Sequence, residues 1–569
     1  MMRVPIRWIL ALRLRLTATL GPSGMDTMLF WALLAGLAGG VSSAAFRAAI
    51  AALKECLTGQ SGNIIAIAES LTPADRLWIP TLGGLLAGFT LWLGSRLFRG
   101  LRAQDYLEVI RLGDGVISVK PTLARLLSSL LSISSGASIG REGGMVQLSA
   151  LVASSLGRLF GLSRPRLRLL VACGGAAGLA SAYNTPLAGA LFIAEIVLQS
   201  LAIEALGPLI VAAVTATLVI RHWIGVEPIL SAPDFSMPTR IDLLPLLGLG
   251  VLAGGLAPLF LASLDLARRL FQPLHLPLPL SLGLGGLIVG ALSLVAPEVW
   301  GNGYEVTEIL INGAPTQAFI VRLLWLKVLA TAAAVGAGTV GGVFTPTLMI
   351  GACMGWLYGH WLPVWLPDVA LDPVAFAVLG MGAFLAGTTL APLTAGLMIF
   401  EMTLDANLLF PLIVVTLVAR YLTALIRPRS VYSQALGDVH TPIAALMHVT
   451  ELMTTPSAVV NRQAKGDQIS EIFCRSTTHS IWVVDDLGHY EGVITLNTLK
   501  RFMGDANLQH LNAAAVFMEE DLPSVTPRAA LTEALTLLIE HESDRLPVVD
   551  EQGHLCGEIT KSDLLLALS

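Results

Sequence analysis

Long apolar segments interrupted by glycine and proline fill the first 440 residues, and they restrict this chain to a membrane fold. The clearest segments are Met28–Ala45, Ile79–Leu93, Leu201–Ile220, Leu243–Leu264, Leu280–Ala296, Ala375–Leu390 and Leu408–Ile426. A helix needs about 20 mostly apolar residues to cross a bilayer. Several of these segments are shorter, so we predict helices that end inside the membrane. Lipid tolerates such ends only where they are buried in protein or line a wet cavity, which is typical of transport proteins.

Charge divides the chain near residue 440. Residues 441–569 carry 8 basic and 18 acidic side chains, against 27 and 22 in residues 1–440. We therefore predict a membrane domain followed by an acidic soluble tail, with no nucleic acid as partner. Four arginines between residues 3 and 15 precede the first apolar segment, and basic flanks stay in the cytoplasm. A signal peptide over Met1–Ala18 is the alternative, although these arginines interrupt its apolar core.

The membrane region contains an internal repeat. Pro186–Glu195 (PLAGALFIAE) resembles Pro392–Glu401 (PLTAGLMIFE) at an offset of 206 residues. Upstream, Gly140–Gly144 (GREGG) lies opposite Gly342–Pro346 (GVFTP) at an offset of 202 residues. The two matches occur in the same order along the chain, so we predict two structural repeats, at about residues 27–225 and 240–435.

The linkers that follow the two glycine-rich motifs differ in charge. The first carries Arg158, Arg164, Arg166 and Arg168, whereas Trp361–Pro373 has no Lys or Arg. By the positive-inside rule, equivalent linkers then lie on opposite sides of the membrane, which predicts an inverted repeat. Such folds place the substrate at the repeat interface near the bilayer midplane, where the N-termini of broken helices point at an anion.

Glu142 is the main candidate for a functional residue. The GREGG motif precedes the apolar stretch Met145–Leu156, and a glycine-rich turn before a helix leaves backbone N–H groups available to an anion. A carboxylate in that place could occupy the anion's position and leave it on protonation, which would make a gate. The alternative is an ordinary Arg141–Glu142 pair in a loop.

From about residue 28 onward, these motifs resemble those of the CLC family of chloride channels and chloride/proton antiporters. The resemblance implies that Glu142, within GREG, is the gating glutamate. It also implies that backbone amides of the GGVFTP motif and a tyrosine hydroxyl hold the anion without a full positive charge. The predicted anion site comprises Gly140, Arg141, Gly143, Val343, Phe344 and Tyr432. A homodimer in the inner membrane, with the N-terminus and the tail in the cytoplasm, is a further implication.

The chain departs from the family pattern at two places. The GSGIP motif is missing, and Ala103–Leu107 takes its place, with Gln104 or Tyr106 as substitutes for the serine hydroxyl. Many antiporters of the family also have a second, proton-carrying glutamate, where this chain has Ile196. We therefore favour a voltage- or pH-gated chloride channel, and a chloride/proton antiporter that lacks this glutamate remains the alternative.

Three other charged residues of the membrane region are interpreted as structural. Glu195 and Glu401 occupy matched repeat positions, and we expect them to bond to backbone or to face the dimer surface. Lys327 is interpreted as a lysine near a helix end whose ammonium group reaches the membrane surface.

The tail contains a second repeat. His479–Thr495 aligns with Asp544–Thr560 at an offset of 65 residues, and each copy predicts a strand, an Asp/Gly turn and a strand. A helical pattern such as Leu531–Ile539 accompanies the strands. The pattern resembles a tandem CBS pair, a module that often binds adenine nucleotides. The resemblance implies that Thr560 and Asp563 are candidate nucleotide-binding residues, with Asp563 at the ribose-binding position and Thr498 as its first-copy equivalent. A purely structural pair is the alternative.

The predicted fold is a mostly α membrane protein of the CLC-type inverted-repeat class, followed by an α/β tandem CBS tail. We place a cytoplasmic segment at 1–26, the transmembrane domain at 27–439, and the CBS copies at 446–505 and 515–569. Neither an HExxH motif nor a GxxxxGK[ST] phosphate loop occurs, and the five cysteines form no CxxC pair. The chain is therefore predicted to be no enzyme, to hold no metal and to require no cofactor. A further alternative is a nucleotide sensor whose membrane domain serves only as an anchor. An anchor needs no inverted repeat, so the repeat disfavours this alternative.

Overall fold

The computed structural model describes most of the chain. The described residues are 25–98, 103–111, 113–224, 230, 243–313, 315–365, 372–433, 448–465, 468–469, 472, 480–495, 522–541, 543, 545–560 and 564. The N-terminal arginines, Thr498 and Asp563 lie outside these residues. The chain forms two units, Met1–Leu436 and Gly437–Ser569.

The first unit is built from helices. They are α1 (Met25–Thr58), α2 (Ile64–Ser70), α3 (Pro73–Leu97), α4 (Tyr106–Arg111), α5 (Val119–Ser134), α6 (Glu142–Leu159), α7 (Arg164–Tyr183), α8 (Pro186–Phe192), α9 (Ile203–Ile224), α10 (Leu243–Phe271), α11 (Leu278–Val295), α12 (Tyr304–Asn312), α13 (Gln317–Gly336), α14 (Phe344–Trp365), α15 (Pro373–Thr389), α16 (Pro392–Thr403) and α17 (Leu409–Ile426). In the part of the chain that the structure describes, seven helices are long and apolar enough to cross a membrane, while Pro186–Leu198 and Pro373–Thr389 are apolar but short. The prediction of a broken-helix membrane fold is confirmed.

The repeat found in the sequence recurs in the backbone conformation. Helix α7 ends before Asn184, which has a φ of 54°, and Pro186 then begins α8. Helix α15 ends before Leu390, which has a φ of 60°, and Pro392 then begins α16. A left-handed residue ends a helix, and a proline suits the first turn of the next one because its missing N–H would have no partner there. Both repeats therefore break their helices at the same place.

The two repeats also exchange equivalent contacts. The carboxylate of Glu195 accepts hydrogen bonds from the Thr394 amide at 2.8 Å and from the Thr394 hydroxyl at 2.6 Å. Glu401 accepts hydrogen bonds from the amides of Leu187 at 3.0 Å and Ala188 at 2.8 Å. Each glutamate thus satisfies the N-terminal amides of the short helix in the other repeat. The interpretation of both residues as structural, bonded to backbone, is confirmed.

Lys327 differs from its sequence-based interpretation. Its side chain is fully buried within α13, and its ammonium donates hydrogen bonds to the carbonyls of Val299 at 3.1 Å and Gly301 at 2.8 Å. The prediction that this ammonium reaches the membrane surface is therefore wrong. The loop after α11 supplies carbonyl oxygens inside the protein, and these replace the water that a snorkelling lysine would seek.

The tail is an α/β unit in which both copies form the predicted hairpin. Its strands are β1 (Val459–Asn461), β2 (Ser480–Val484), β3 (Tyr490–Thr495), β4 (Arg545–Val549) and β5 (Leu555–Thr560), with helix α18 (Leu531–Glu540) before β4. Strand β2 pairs with β1 in parallel and with β3 antiparallel, and β4 pairs antiparallel with β5. The first hairpin pairs Ser480 with Thr495, and the second pairs Arg545 with Thr560. These pairs differ by the 65 residues of the repeat, so the strand–turn–strand prediction is confirmed.

The hairpin turns of the two copies contact each other. The imidazole rings of His489 and His554 stack with centroids 4.4 Å apart, and the Tyr490 amide donates to the Gly553 carbonyl at 3.0 Å. Each histidine also hydrogen-bonds through Nδ1 to the aspartate that opens its turn, at 2.8 Å for Asp485 and 3.1 Å for Asp550. The turns therefore join the two copies of the tail.

We expect the turn aspartates to stabilise the tail in a pH-dependent way. The hydrogen bond from His489 lowers the pKa of Asp485 from 3.8 to about 2. A carboxylate whose pKa is depressed by folding adds stability above its ordinary pKa, and that stability is lost as pH falls through the folded value. Asp485→Asn should therefore lower the melting temperature at neutral pH, and its difference from the parent should shrink below about pH 4 and vanish once the pH lies below about 2. Asp550→Asn is the matched variant in the second copy. A difference that persists undiminished when the pH lies below about 2 would contradict the expectation.

Candidate anion site between the two repeats

The two glycine-rich motifs meet as a short antiparallel backbone pair. The Gly140 amide donates to the Gly342 carbonyl at 2.6 Å, and the Gly342 amide donates to the Gly140 carbonyl at 3.0 Å. These are the residues that the offset of 202 matches in the sequence. A Cβ atom on Gly143 would lie 3.1 Å from the Gly342 amide nitrogen, so glycine there lets the two backbones approach. The pair brings the N-termini of α6 and α14 to one place.

Glu142 reaches from the first repeat to the second. It is the first residue of α6 and only 4% exposed. Its Oε1 accepts hydrogen bonds from the amides of Phe344 at 3.0 Å and Thr345 at 3.4 Å, and its Oε2 accepts one from the Thr345 hydroxyl at 3.0 Å. The alternative of an ordinary loop pair with Arg141 does not describe this buried carboxylate. The Arg141 side chain is partly exposed and lies within electrostatic range of Arg47 and Tyr304.

The carboxylate of Glu142 occupies a position suited to an anion. Phe344 and Thr345 are the first two residues of α14, a helix of 22 residues whose first amides have no partner within the helix. The positive end of the helix dipole and these amides together favour a negative charge. The Phe344 amide is one of the two that were predicted to hold the anion. The other predicted amide is that of Val343, which directly precedes α14. The Val343 carbonyl accepts a hydrogen bond from the Thr347 amide at 3.0 Å.

Aromatic rings form one wall of the site. The Phe344 ring lies 5.2 Å from the Tyr183 ring and 6.1 Å from the Phe192 ring, measured between centroids. Tyr432 meets Phe192 edge to face at 5.4 Å. The Tyr432 phenol is also within electrostatic range of Glu142. The structure thus brings Tyr432 to the predicted site across about 90 residues of sequence from Phe344.

The segment in place of the missing motif also reaches the site. The Gln147 amide side chain accepts a hydrogen bond from the Tyr106 backbone amide at 2.9 Å and donates one to the Gln104 carbonyl at 3.1 Å. The buried Tyr106 phenol lies within electrostatic range of Tyr432 and Glu142. Of the two predicted substitutes, Tyr106 is thus within electrostatic range of Glu142, while Gln104 contributes its carbonyl to the Gln147 contact.

Sequence reasoning missed four residues of this site: Tyr183, Phe192, Thr345 and Gln147. Thr345 directly follows Phe344 in the GGVFTP motif, and a hydroxyl next to two predicted anion ligands is a signal that could have identified it. Gln147 is a polar residue within the apolar stretch after GREGG, and it is only 7% exposed in the structure. A buried amide needs hydrogen-bond partners, so its presence there predicts a local contact. Tyr183 and Phe192 give no comparable signal, because aromatic residues are common in apolar segments.

In the tail, Thr560 ends β5, while Asp563 lies outside the described residues. The hairpin also carries an unpredicted buried carboxylate, Glu558, which is 3% exposed. Its oxygens accept hydrogen bonds from Arg545 Nη1 at 2.7 Å and from Trp482 Nε1 at 2.7 Å. Because Trp482 belongs to the first copy and Glu558 to the second, this carboxylate joins the two copies.

Comparison with known proteins identifies the family of this chain. The sequence model of the voltage gated chloride channel family matches residues 83–424, and the CBS domain model matches residues 513–569. The chain is 47% identical over 414 residues to a "Putative chloride channel protein ClcB-like" of Ralstonia nicotianae, covering 72% of this chain and 96% of that protein. This chain belongs to the CLC family. It is also 39% identical over 415 residues to "Voltage-gated ClC-type chloride channel ClcB" of Escherichia coli, covering 72% of this chain and 99% of that protein.

Solved CLC structures share the fold. A slow cyanobacterial Cl⁻/H⁺ antiporter is 25% identical, with a TM-score of 0.64 over 73% of this chain and 98% of that one. A eukaryotic CLC transporter is 20% identical, with a TM-score of 0.69 over 98% of both chains. The chain is thus a multi-pass CLC-type chloride transport protein with a CBS-containing tail, and CLC proteins are transporters and channels, not enzymes.

Proposed function

We propose that this CLC protein conducts chloride through its membrane unit and that Glu142 is the gate. The observation that carries the proposal is the hydrogen bond of 3.0 Å from the Phe344 amide to Glu142 Oε1. A carboxylate oxygen there stands in for chloride, so the side chain and the anion compete for the same amides. Protonation removes the negative charge that these amides stabilise, and the side chain then yields its place. We include Gly140, Arg141, Gly143, Val343, Phe344 and Tyr432 in the anion site. Tyr106 joins them from the segment that takes the place of the missing GSGIP motif.

Chloride flux from proteoliposomes at a series of external pH values tests this proposal. The parent should conduct faster as external pH falls, because acid protonates the competing carboxylate. Glu142→Gln keeps the size of the side chain without its charge, so its flux should be high and nearly independent of pH. Glu401→Gln is a matched control, since Glu401 also accepts backbone amides but lies at the other contact between the repeats. A Glu142→Gln protein with the parent's pH dependence would exclude this gate.

We propose further that transport is passive, because Ile196 stands where an internal proton carrier would be expected. Its side chain is 6% exposed and has no group that can bind a proton. The competing proposal, chloride/proton antiport through Glu142, is favoured by the likeness to a slow Cl⁻/H⁺ antiporter. Simultaneous recording of chloride and pH in proteoliposomes separates the two. A chloride gradient that drives protons uphill would establish antiport, and chloride movement without protons would establish a channel.

We propose that the protein is a homodimer in the inner membrane, with a pathway in each subunit and with the N-terminus and tail in the cytoplasm. Two exposed cysteines allow a test of this orientation: Cys56 near the end of α1 and Cys556 in β5. In single-cysteine variants, a membrane-impermeant maleimide should label Cys56 in intact cells and Cys556 only after lysis. Partial burial raises the pKa of the Cys556 thiol, so labelling times must be long. Labelling of Cys556 in intact cells would overturn the orientation. The molar mass of the detergent-solubilised protein tests the dimer.

A further inference from the structure

Two hydroxyl groups lie in series behind the Glu142 carboxylate. The Thr345 hydroxyl donates a hydrogen bond to Glu142 Oε2 at 3.0 Å, and the Tyr183 phenol oxygen lies 2.7 Å from the same threonine hydroxyl. An ionised carboxylate can only accept, so the single proton of Thr345 points at Glu142. The Tyr183 phenol must then donate to the Thr345 oxygen. The order of donation is therefore Tyr183 to Thr345 to Glu142.

These three groups are shielded from solvent. Glu142 is 4% exposed, Thr345 2% and Tyr183 5%. Hydrogen bonds to a charged group are stronger than neutral ones, and bonds in series polarise each other in a medium of low dielectric. The two hydroxyls come from separate helices, α7 and α14. Together they hold one oxygen of the carboxylate, Oε2. The backbone amides of Phe344 and Thr345 hold the other oxygen.

Among the described residues, few other ionisable side chains interact electrostatically with this carboxylate. The phenols of Tyr106 from α4, Tyr183 from α7 and Tyr432 beyond α17 lie within electrostatic range of it. Arg141 next to Glu142 and Asp105 before α4 act on these phenols. None of these groups donates a hydrogen bond to Glu142 through its own side chain in the described contacts. Among the described contacts, the side-chain group that donates a hydrogen bond to Glu142 is the Thr345 hydroxyl.

Building on the gate proposed above, we propose that Thr345 and Tyr183 are positioning residues that hold the ionised Glu142 in the anion's place and thereby set the external pH at which the pathway opens. A protonated Glu142 gains less from this arrangement, because its acid proton needs an acceptor where Thr345 presents a donor. Removing either hydroxyl then makes the open state accessible at a higher pH. Thr345 contacts the carboxylate directly, so its effect is the larger one.

Thr345→Val and Tyr183→Phe test the proposal, because each removes a hydroxyl while keeping the shape of the side chain. In proteoliposomes, Thr345→Val should raise the pH of half-maximal chloride flux by about one to two units, the equivalent of one hydrogen bond to a charged group. Tyr183→Phe should raise it by roughly half a unit, since it acts through Thr345. Thr345→Ser restores a hydroxyl and should return the midpoint towards that of the parent.

Two variants control for loss of a hydrogen-bonded hydroxyl elsewhere in the membrane unit, one at the partly buried Tyr358 and one at the buried Thr217. Tyr358→Phe removes a phenol that donates to the Pro245 carbonyl at 2.9 Å, and Thr217→Val removes a hydroxyl that donates to the Ala213 carbonyl of its own helix at 2.9 Å. Both variants should keep the parent's midpoint. Size-exclusion chromatography identifies any variant that does not fold. Thr345→Val and Tyr183→Phe are separate proteins, so if one of them fails to fold, the other still tests the proposal.

The outcomes separate this proposal from the gate itself. If Glu142→Gln abolishes the pH dependence while Thr345→Val and Tyr183→Phe keep the parent's midpoint, or lower it, the gate stands and the positioning role is overturned. If Glu142→Gln keeps the pH dependence, the gate fails and the positioning role fails with it. In the Glu142→Gln background, adding Tyr183→Phe should change nothing. A change in the chloride flux of that background would show that the phenol acts elsewhere and would overturn its role as a positioning residue for Glu142.

Discussion

Gly342→Ala is expected to remove most chloride flux and to abolish the pH dependence of what remains. A Cβ atom on Gly342 would lie 2.1 Å from Oε1 and 2.6 Å from Cδ of Glu142. Those atoms are the end of a flexible side chain, so the carboxylate must leave its place. An anion bound at the same amides meets the same Cβ. An overpacking cost of about 1–3 kcal/mol corresponds to roughly a 5- to 150-fold loss of occupancy.

Flux measured across a range of external pH checks this expectation. Gly255→Ala in α10 is the matched control, because nothing lies within 4 Å of the Cβ that it would add. That variant should behave like the parent, since alanine is the better helix former. Parental flux and parental pH dependence in a folded Gly342→Ala protein would mean that the carboxylate and the anion do not share this place.

Lys327→Ala is expected to leave little folded protein. The substitution empties a fully buried volume in α13, which costs about 2–5 kcal/mol for long side chains. It also removes the donor from the Val299 and Gly301 carbonyls, at about 1–3 kcal/mol for each buried group left unpaired. The sum is comparable with the whole stability of a typical domain, about 5–15 kcal/mol. The yield of monodisperse protein after solubilisation and its melting temperature are the measurements.

Two further variants separate the contributions to this effect. Lys327→Met fills the space but cannot donate, so its melting temperature should lie between those of the parent and Lys327→Ala. Lys54→Ala is the exposed counterpart, because Lys54 also donates to a backbone carbonyl, that of Gly62, but in contact with solvent. Water can replace that bond, and the cost should stay within about 0.5 kcal/mol. A Lys327→Ala protein that melts like the parent would show that the ammonium is not buried as the structure has it.

The repeats were predictable because their backbone requirements are local. A proline that begins a helix after a left-handed residue, and a glycine where two backbones touch, each demand a residue type wherever the motif recurs. Offsets of 206, 202 and 65 residues therefore relate residues that have the same conformation in both copies. The sequence match between Glu195 and Glu401 likewise predicted a shared structural role.

Other parts of the site depend on which distant side chains meet. Lys327 was misread because an apolar helix has the same composition whether lipid or protein carbonyls surround it. Gln104 and Tyr106 were equal candidates in the sequence, and only the contact with Gln147 shows that Gln104 uses its carbonyl there. The hydroxyls of Thr345 and Tyr183 could not be connected to Glu142, because about 200 and 40 residues of chain, respectively, separate them from it.

The sequence by itself determined the membrane fold, the two repeats, the hairpins of the tail and the two glycine-rich motifs that meet at Glu142. These follow from apolar length and from local backbone requirements, which a linear pattern records. The tertiary structure alone decided that Glu142 of one repeat rests on the amides of the other, and that two hydroxyls stand behind it. Hydrogen bonds depend on distance and direction between atoms far apart in the chain, and packing settles both only when the helices come together.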